Sequence, residues 1–301
     1  MKNKSLFYTL FALLGLSVPS YAQTSQELAA QDSRRMGPLS GVFQWNHTLF
    51  SRPTPGIAFD LQMAHIGDRA RPDGITAPPL GVGWAHSFET RVTPSQYYMG
   101  AGNVEAIKLS LWNGAVEVWG KDGAVVTNIQ KYVTRHGEYR GEFSRNIVSG
   151  ECTWVTPERL TYLFNPITTP TILVVQGTLI NITDSNGNKV TVNRDSGNGR
   201  ITNITDTADG VFSFNYNANG RLTSISYMEW TVTFDYTSNL LTAKRISAFP
   251  SAHVTTPAVP NRWEFTYSGN RLYRIFDPRG VAATSKYPSV TLTYDSSGRA
   301  Y

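Results

Sequence analysis

The sequence has a single cysteine and few charged residues for its length. Cys152 is the one cysteine among 301 residues, which excludes an internal disulfide and a cysteine-based zinc site. Its place at the start of a strand-like segment favours a small core residue over a reactive nucleophile. Charged residues make up 16% of the chain, so the fold must be stabilised mainly by apolar packing and sheet hydrogen bonds.

The chain also lacks runs of basic residues. Its formal net charge is +5, from 27 Lys and Arg against 22 Asp and Glu, and the basic residues are scattered singly. A nucleic-acid surface would combine clustered Lys and Arg with interleaved aromatic side chains. We therefore expect no nucleic-acid partner.

Long apolar runs are absent except near the N-terminus. Lys2 and Lys4 precede an apolar run at residues 6–16, and the small residues Ser20 and Ala22 follow it. This order is typical of a secretory signal cleaved after Ala22, and the run is too short to remain as a membrane anchor. A buried N-terminal helix is the alternative. We expect a secreted, periplasmic or cell-surface protein that does not span the membrane after cleavage.

Motifs of common catalytic and cofactor sites are missing as well. The sequence has no Gly-x-Ser-x-Gly elbow, no His-Glu-x-x-His motif and no phosphate-binding loop. Gly81 and Gly83 are too close together for a dinucleotide fingerprint and indicate a turn ahead of a strand. We predict neither an enzyme nor a bound cofactor, and a hydrolase built around His86 is the enzymatic alternative.

No metal site is predicted either. The five histidines are dispersed along the chain, and the turn beginning at Asp184 has its glycine in the wrong position for a calcium loop. We interpret that segment as a hairpin turn. The acidic residues at repeat turns are likewise expected to accept backbone N–H bonds: Asp206, Asp277 and Asp295.

Strand and turn signals dominate the rest of the chain, so we predict an all-β fold. Residues 57–65 alternate between apolar and polar side chains, which indicates a strand with one buried face. Asp122 and Gly123 predict a tight hairpin turn. Pro157 and Glu158 predict another.

The C-terminal half is repetitive. One apolar spacing recurs beside Gly-Arg or Asn-Arg turns and strands that end in tyrosine: Leu179-x-x-Ile182, Ile201-x-x-Ile204, Leu222-x-x-Ile225 and Leu272-x-x-Ile275. The interval from Arg200 to Arg221 has the length of one β-hairpin. A single hairpin cannot bury its apolar face, so we expect neighbouring hairpins to join in one continuous sheet.

The repeating unit Gly-Arg-(Leu/Ile)-x-x-Ile-x-Asp, followed by Phe-x-Phe-x-Tyr, resembles the YD repeat of bacterial Rhs proteins. Residues 79–88 are similar to the Gly-x-Gly-Trp-x-His segment that precedes the repeats in that family. The motif positions in the upstream segment are Gly81, Gly83, Trp84 and His86. Those in the repeats are Gly199, Arg200, Gly220, Arg221, Tyr294, Asp295, Gly298 and Arg299.

The resemblance implies a curved or spiral sheet of antiparallel hairpin repeats that forms a shell, often around a C-terminal toxin. This chain has too few repeats to close a shell, and its last repeat turn stands at the end of the sequence. We therefore expect a truncated product or a piece that pairs with another chain. Expected partners are further YD-repeat polypeptide or a toxin cargo. Residues 277–280 are interpreted as an ordinary repeat turn without a cleavage role.

The expected organisation is a signal peptide at 1–22, a flexible leader at 23–39, an irregular N-terminal β domain at 40–170 and YD-type repeats at 171–301. The leading hypothesis is an exported structural or interaction protein, a fragment of an Rhs-type shell that scaffolds toxin delivery or cell contact. The alternative is a stand-alone module that binds cell-surface carbohydrate, because aromatic rings can stack on sugars. Its candidate contact residues are Trp112, Trp119, Trp230 and Trp263.

Overall fold

A computed structural model describes most of the chain after the N-terminal segment. The described residues are 33–36, 43–66, 78–98, 103–134, 141–167, 177–247 and 261–296. The predicted signal peptide and the motif residues Gly298 and Arg299 lie outside them. Within the described ranges, no helix is both long and apolar enough to cross a membrane.

The described residues form two antiparallel sheets and one short helix. The first sheet has four strands, β1 Ser33–Met36, β2 Phe43–Arg52, β3 Phe59–His65 and β4 Trp84–His86. The second sheet has 17 strands: β5 Arg91–Tyr98, β6 Asn103–Ser110, β7 Val116–Val126, β8 Ile129–Thr134, β9 Glu142–Asn146, β10 Cys152–Val155, β11 Thr161–Phe164, β12 Leu179–Thr183, β13 Lys189–Arg194, β14 Ile201–Thr205, β15 Val211–Tyr216, β16 Leu222–Tyr227, β17 Trp230–Thr237, β18 Leu240–Ser247, β19 Arg262–Ser268, β20 Arg271–Phe276 and β21 Val290–Thr291. The helix α1, Pro278–Ala282, follows β20.

The second sheet confirms the predicted all-β fold of antiparallel hairpin repeats. Each of its strands pairs with the next along the chain. No pairing among the described residues joins β21 to β5, so the sheet is open. The sheet is also curved. Its first strand, β5, contacts the residues just before β12, because Arg91 forms a β-bridge with Thr178 and Val92 N donates to Gly177 O at 2.8 Å.

One of the two predicted hairpin turns lies elsewhere. The turn at Pro157 is confirmed between β10 and β11, but the turn predicted at Asp122 is wrong. Strand β7 runs through Gly123, which lies in a register shift against β8. The chain instead turns at Thr127 and Asn128, with φ of 49° and 65°. Two consecutive positive φ values match the twist of a tight hairpin.

A β-bulge explains the Leu-x-x-Ile spacing of the repeats. Side chains three residues apart point to opposite faces of a regular strand, yet both apolar residues of each pair are buried. In β14, β16 and β20, as in β12, the pairing register shifts just after the first of the two residues. The extra residue turns the strand so that both side chains face the core.

A tyrosine hydroxyl caps several of these bulges. Each donates a hydrogen bond to the carbonyl of the first bulge residue on the preceding strand: Tyr236 to Leu222 at 2.7 Å, Tyr267 to Leu241 at 2.7 Å and Tyr294 to Leu272 at 2.5 Å. A bulge interrupts the ladder locally, so the hydroxyl supplies a donor where the backbone ladder is disturbed. This contact gives the tyrosine of the repeat its structural role.

We expect Tyr236→Phe to lower the free energy of unfolding by about 1 kcal/mol, because it removes one hydroxyl and its bond to Leu222 O while keeping the ring. Urea denaturation monitored by circular dichroism measures the change. Tyr287→Phe is the matched control, since Tyr287 is 52% exposed, and it should be nearly neutral. Equal losses in the two variants would contradict the capping role.

The long sheet continues across the sequence boundary placed at residue 170. Strand β11 pairs with β12, so the irregular strands β5 to β11 extend the same sheet as the repeats. The division into 40–170 and 171–301 therefore describes sequence regularity, and as a domain boundary it stays a prediction. The segment 23–39, expected to be a flexible leader, contains β1, which pairs with β2.

One apolar core joins the two sheets. The alternation predicted at residues 57–65 is confirmed in β3, where Phe59, Leu61 and Met63 are buried. Phe59 stacks on Phe212 of β15 with 4.0 Å between ring centroids. The four-stranded sheet thus packs on the repeat sheet through the face that the sequence pattern marks as apolar.

Candidate functional site: the docking surface of the Trp-His segment

Residues 78–89, named here the Trp-His segment, begin with a turn that packs on a repeat hairpin. Gly81 has φ of +91°, and a Cβ atom there would lie 2.7 Å from the backbone oxygen of Asn239 in the β17–β18 turn. Val82 N donates to that same oxygen at 3.1 Å. The predicted turn ahead of a strand at Gly81 and Gly83 is confirmed, and glycine is required by the close approach of the two backbones.

Trp84 connects the Trp-His segment to the tyrosine that caps a bulge. Its indole is fully buried, and Nε1 donates to the Tyr267 hydroxyl at 2.9 Å. That hydroxyl in turn donates to Leu241 O. Burial raises the pKa of Tyr267, so the phenol remains a neutral donor. Trp84 of the family motif, the repeat tyrosine Tyr267 and the backbone oxygen of Leu241 are therefore connected by two consecutive hydrogen bonds.

His86 is enclosed at the end of the same strand. Its side chain is 1% exposed, and its Nε2 lies 3.9 Å from Glu89 Oε1. The backbone N–H of His86 donates to Glu89 Oε2 at 3.1 Å, and its ring lies 5.6 Å from that of Phe214. These contacts position the chain after β4. A hydrolase based on His86 stays a hypothesis, and it would require this enclosed ring to reach a substrate.

Two arginines of the repeats hold the ends of the Trp-His segment. Arg221 is 5% exposed and donates to the backbone oxygen of Pro78 and, at 2.6 Å, to Asn239 Oδ1. Arg194 donates to the backbone oxygen of Phe88 at 3.1 Å. Burial lowers the pKa of Arg194 to about 10, so its guanidinium stays charged near neutral pH. Arg221 is a predicted motif residue, whereas sequence reasoning did not identify Arg194.

Acidic turn residues accept local backbone hydrogen bonds, as predicted, at Asp184, Asp206 and Asp277. Asp206 also accepts from Arg52 Nη1 at 2.7 Å, which ties the end of β2 to the repeats. Asp277 caps α1 through Gly280 N, so residues 277–280 form a helical turn instead of the ordinary repeat turn expected there.

The described part of the chain holds no group of three or more His, Cys, Asp or Glu side chains placed to bind a metal ion. Cys152 is fully buried, as predicted for a core residue. Burial raises the pKa of its thiol to about 12, and a thiol in that state is a poor nucleophile.

A charged residue occupies one repeat-core position. Leu241-x-x-Lys244 has the Leu-x-x-Ile spacing and the same register shift, but lysine stands where isoleucine would be. Lys244 is fully buried, with Nζ 5.2 Å from the Trp263 ring and 6.0 Å from the Trp45 ring. Sequence reasoning missed this residue, although the spacing could have revealed it.

His47 completes a group that we name the Lys244 cluster: Trp45, His47, Lys244 and Trp263. The His47 ring stacks on Trp45 at 5.3 Å and lies 4.7 Å from the Trp263 ring. Neither ring nitrogen of His47 has a hydrogen-bond partner among the described residues. Burial, followed by the nearby charge of Lys244, holds the pKa of His47 well below its ordinary value of 6.5.

The four tryptophans considered for ligand contact fall into two classes. Trp119 and Trp263 are 1% and 3% exposed and belong to the core, where a ring cannot stack on a sugar without rearrangement. Trp112 and Trp230 are half-buried and lie on different hairpins. Two other aromatic side chains, Tyr273 and Tyr294, line an open groove of about 590 Å³ together with Arg271.

Comparison with known proteins points to one family. Residues 195–227 match the RHS Repeat family, and no curated protein matches the chain. The matched residues contain β14, β15 and β16, including two of the bulged strands and the Gly199 and Gly220 turns. The same bulges recur in the strands outside this match. The chain therefore contains RHS-type repeat sequence, matched at residues 195–227.

Proposed function

We propose that this protein is an exported structural and interaction protein, part of an Rhs-type shell that scaffolds toxin delivery or cell contact. The observation that carries the proposal is the continuous 17-stranded sheet with a second sheet packed on its face. An extended, curved sheet of this kind is suited to enclosing or displaying other polypeptides. RHS-repeat proteins are typically extracellular or located at the cell surface, which supports export.

Export predicts a defined mature N-terminus. We expect mass spectrometry of the protein from periplasm or medium to find Gln23 as the first residue, because small residues precede that bond. Ala22→Arg should leave most of the protein as unprocessed precursor, whereas the control Ala29→Arg should be processed normally. Cytoplasmic protein that retains Met1 would contradict export.

The scaffold role predicts association with further polypeptide. Immunoblots of cell, periplasmic and medium fractions, with an antibody to residues 40–170, should show a species much larger than the 301-residue chain, or native purification should recover a YD-repeat chain or toxin cargo. A monodisperse exported monomer without any partner would contradict the scaffold role.

Carbohydrate binding is the second candidate, and the groove between β20 and the residues after β21 is the observation that favours it. Tyr273 and Tyr294 offer rings there, and Ser268, Asn270 and Arg271 offer polar atoms. Cell-wall oligosaccharides should then raise the thermal unfolding midpoint in a concentration-dependent way, and Tyr273→Ala should abolish the increase. An unchanged midpoint in the unaltered protein would exclude this candidate.

A further inference from the structure

Lys244 is an exception within the repeat core. The equivalent residues Ile204, Ile225 and Ile275 are fully buried isoleucines, and Lys244 is equally buried. Burying an ammonium group is costly unless its surroundings compensate. Two aromatic faces contribute to this compensation, and one of them, Trp45, is on the other sheet. The environment of Lys244 therefore depends on the four-stranded sheet being docked.

His47 also belongs to the four-stranded sheet. It lies on β2 beside Trp45, and its ring packs against Trp263 on β19 of the repeat sheet. With Lys244 nearby, a proton on His47 would place a second positive charge in the same buried cluster. The ring nitrogens of His47 have no hydrogen-bond partner among the described residues, so no described hydrogen bond to the ring would stabilise that charge.

We propose that His47 and Lys244 form an acid-sensitive latch between the two sheets. Neutral His47 allows the four-stranded sheet to dock beside Lys244, and protonation of His47 releases it. The latch concerns the chain's own fold and does not depend on the proposed function.

Other titratable groups lie on the strands around His47. His65 on β3 packs against Trp84 at 5.0 Å, and His86 on β4 is beside Glu89. On β19, Arg262 and Glu264 alternate with Trp263 and bind each other at 3.0 Å. The positive charge that acts on His47 is that of Lys244.

The direction of the pH dependence follows from linkage. The docked imidazole has a pKa well below 6.5, whereas a released, solvated imidazole regains a value near 6.5. Below pH 6.5 the released state therefore binds a proton that the docked state does not. Docking should be independent of this group above pH 6.5 and weaken by roughly tenfold per pH unit below it.

The test compares local release with global unfolding in the full chain between pH 8 and 4. Acrylamide quenching of tryptophan fluorescence reports exposure of Trp45, Trp84 and Trp263, and far-UV circular dichroism reports the sheets. We expect quenching to rise at a higher pH than the loss of the circular dichroism signal, and to reverse on neutralisation. His47→Gln and Lys244→Met should each move the quenching midpoint down by at least about one pH unit, and Lys189→Met, at an exposed lysine, should not.

Coincident quenching and circular dichroism transitions in the unaltered protein would overturn the latch. So would an unchanged midpoint in Lys244→Met, which removes the charge while keeping an apolar chain of similar length. If His47→Gln does not fold, the quenching midpoint of Lys244→Met still tests the latch.

Discussion

Trp263→Ala should lower the free energy of unfolding by about 3–5 kcal/mol, as expected for truncating a large side chain in a packed core. The Trp263 ring is 3% exposed and lies 5.5 Å from Trp45, 4.7 Å from His47 and 5.2 Å from Lys244 Nζ. Its removal would leave a cavity between the sheets and withdraw one aromatic face from a buried ammonium. Urea denaturation, followed by both fluorescence and circular dichroism, measures the loss.

Trp230→Ala is the matched control for this prediction. Trp230 is half-buried at the start of β17, so the same truncation should cost only about 1 kcal/mol. A loss at Trp263 no greater than that at Trp230 would show that the interface between the sheets contributes little to stability.

Arg221→Met should lower the free energy of unfolding by about 3 kcal/mol. The substitution removes a buried guanidinium, takes the donor from Asn239 Oδ1 and leaves the backbone oxygen of Pro78 with the Gly81 N–H as its remaining donor. Because these bonds join the Trp-His segment to two repeat hairpins, we also expect faster amide hydrogen exchange in residues 78–89. Chemical denaturation and hydrogen-exchange mass spectrometry test the two expectations separately.

Arg245→Met distinguishes the buried arginine from an ordinary ion pair. Arg245 binds Asp235 at 2.6 Å, but the two side chains are 46% and 39% exposed, so its loss should cost less than about 1 kcal/mol. Similar losses in both variants, with unchanged exchange in residues 78–89, would mean that Arg221 does not hold the segment in place.

Local patterns in the sequence predicted much of the repeat sheet, because strands and turns depend on neighbouring residues. The alternation at residues 57–65 predicted the buried face of β3. The Leu-x-x-Ile spacing predicted repeating hairpins, but only the strand pairing shows that a β-bulge produces this spacing. Local signals failed at Asp122, where pairing of β7 with β8 absorbed Gly123 into a bulge and moved the turn to Thr127 and Asn128.

The all-β class, the repeating hairpins and the motif residues could all be predicted from local sequence patterns. The tertiary structure alone decided that Trp84 donates to Tyr267, that Arg221 holds Pro78 and that Lys244 faces Trp45. Each of these contacts joins residues more than a hundred positions apart. No local spacing encodes such a contact, because it exists only when the curved repeat sheet presents its face to the four-stranded sheet.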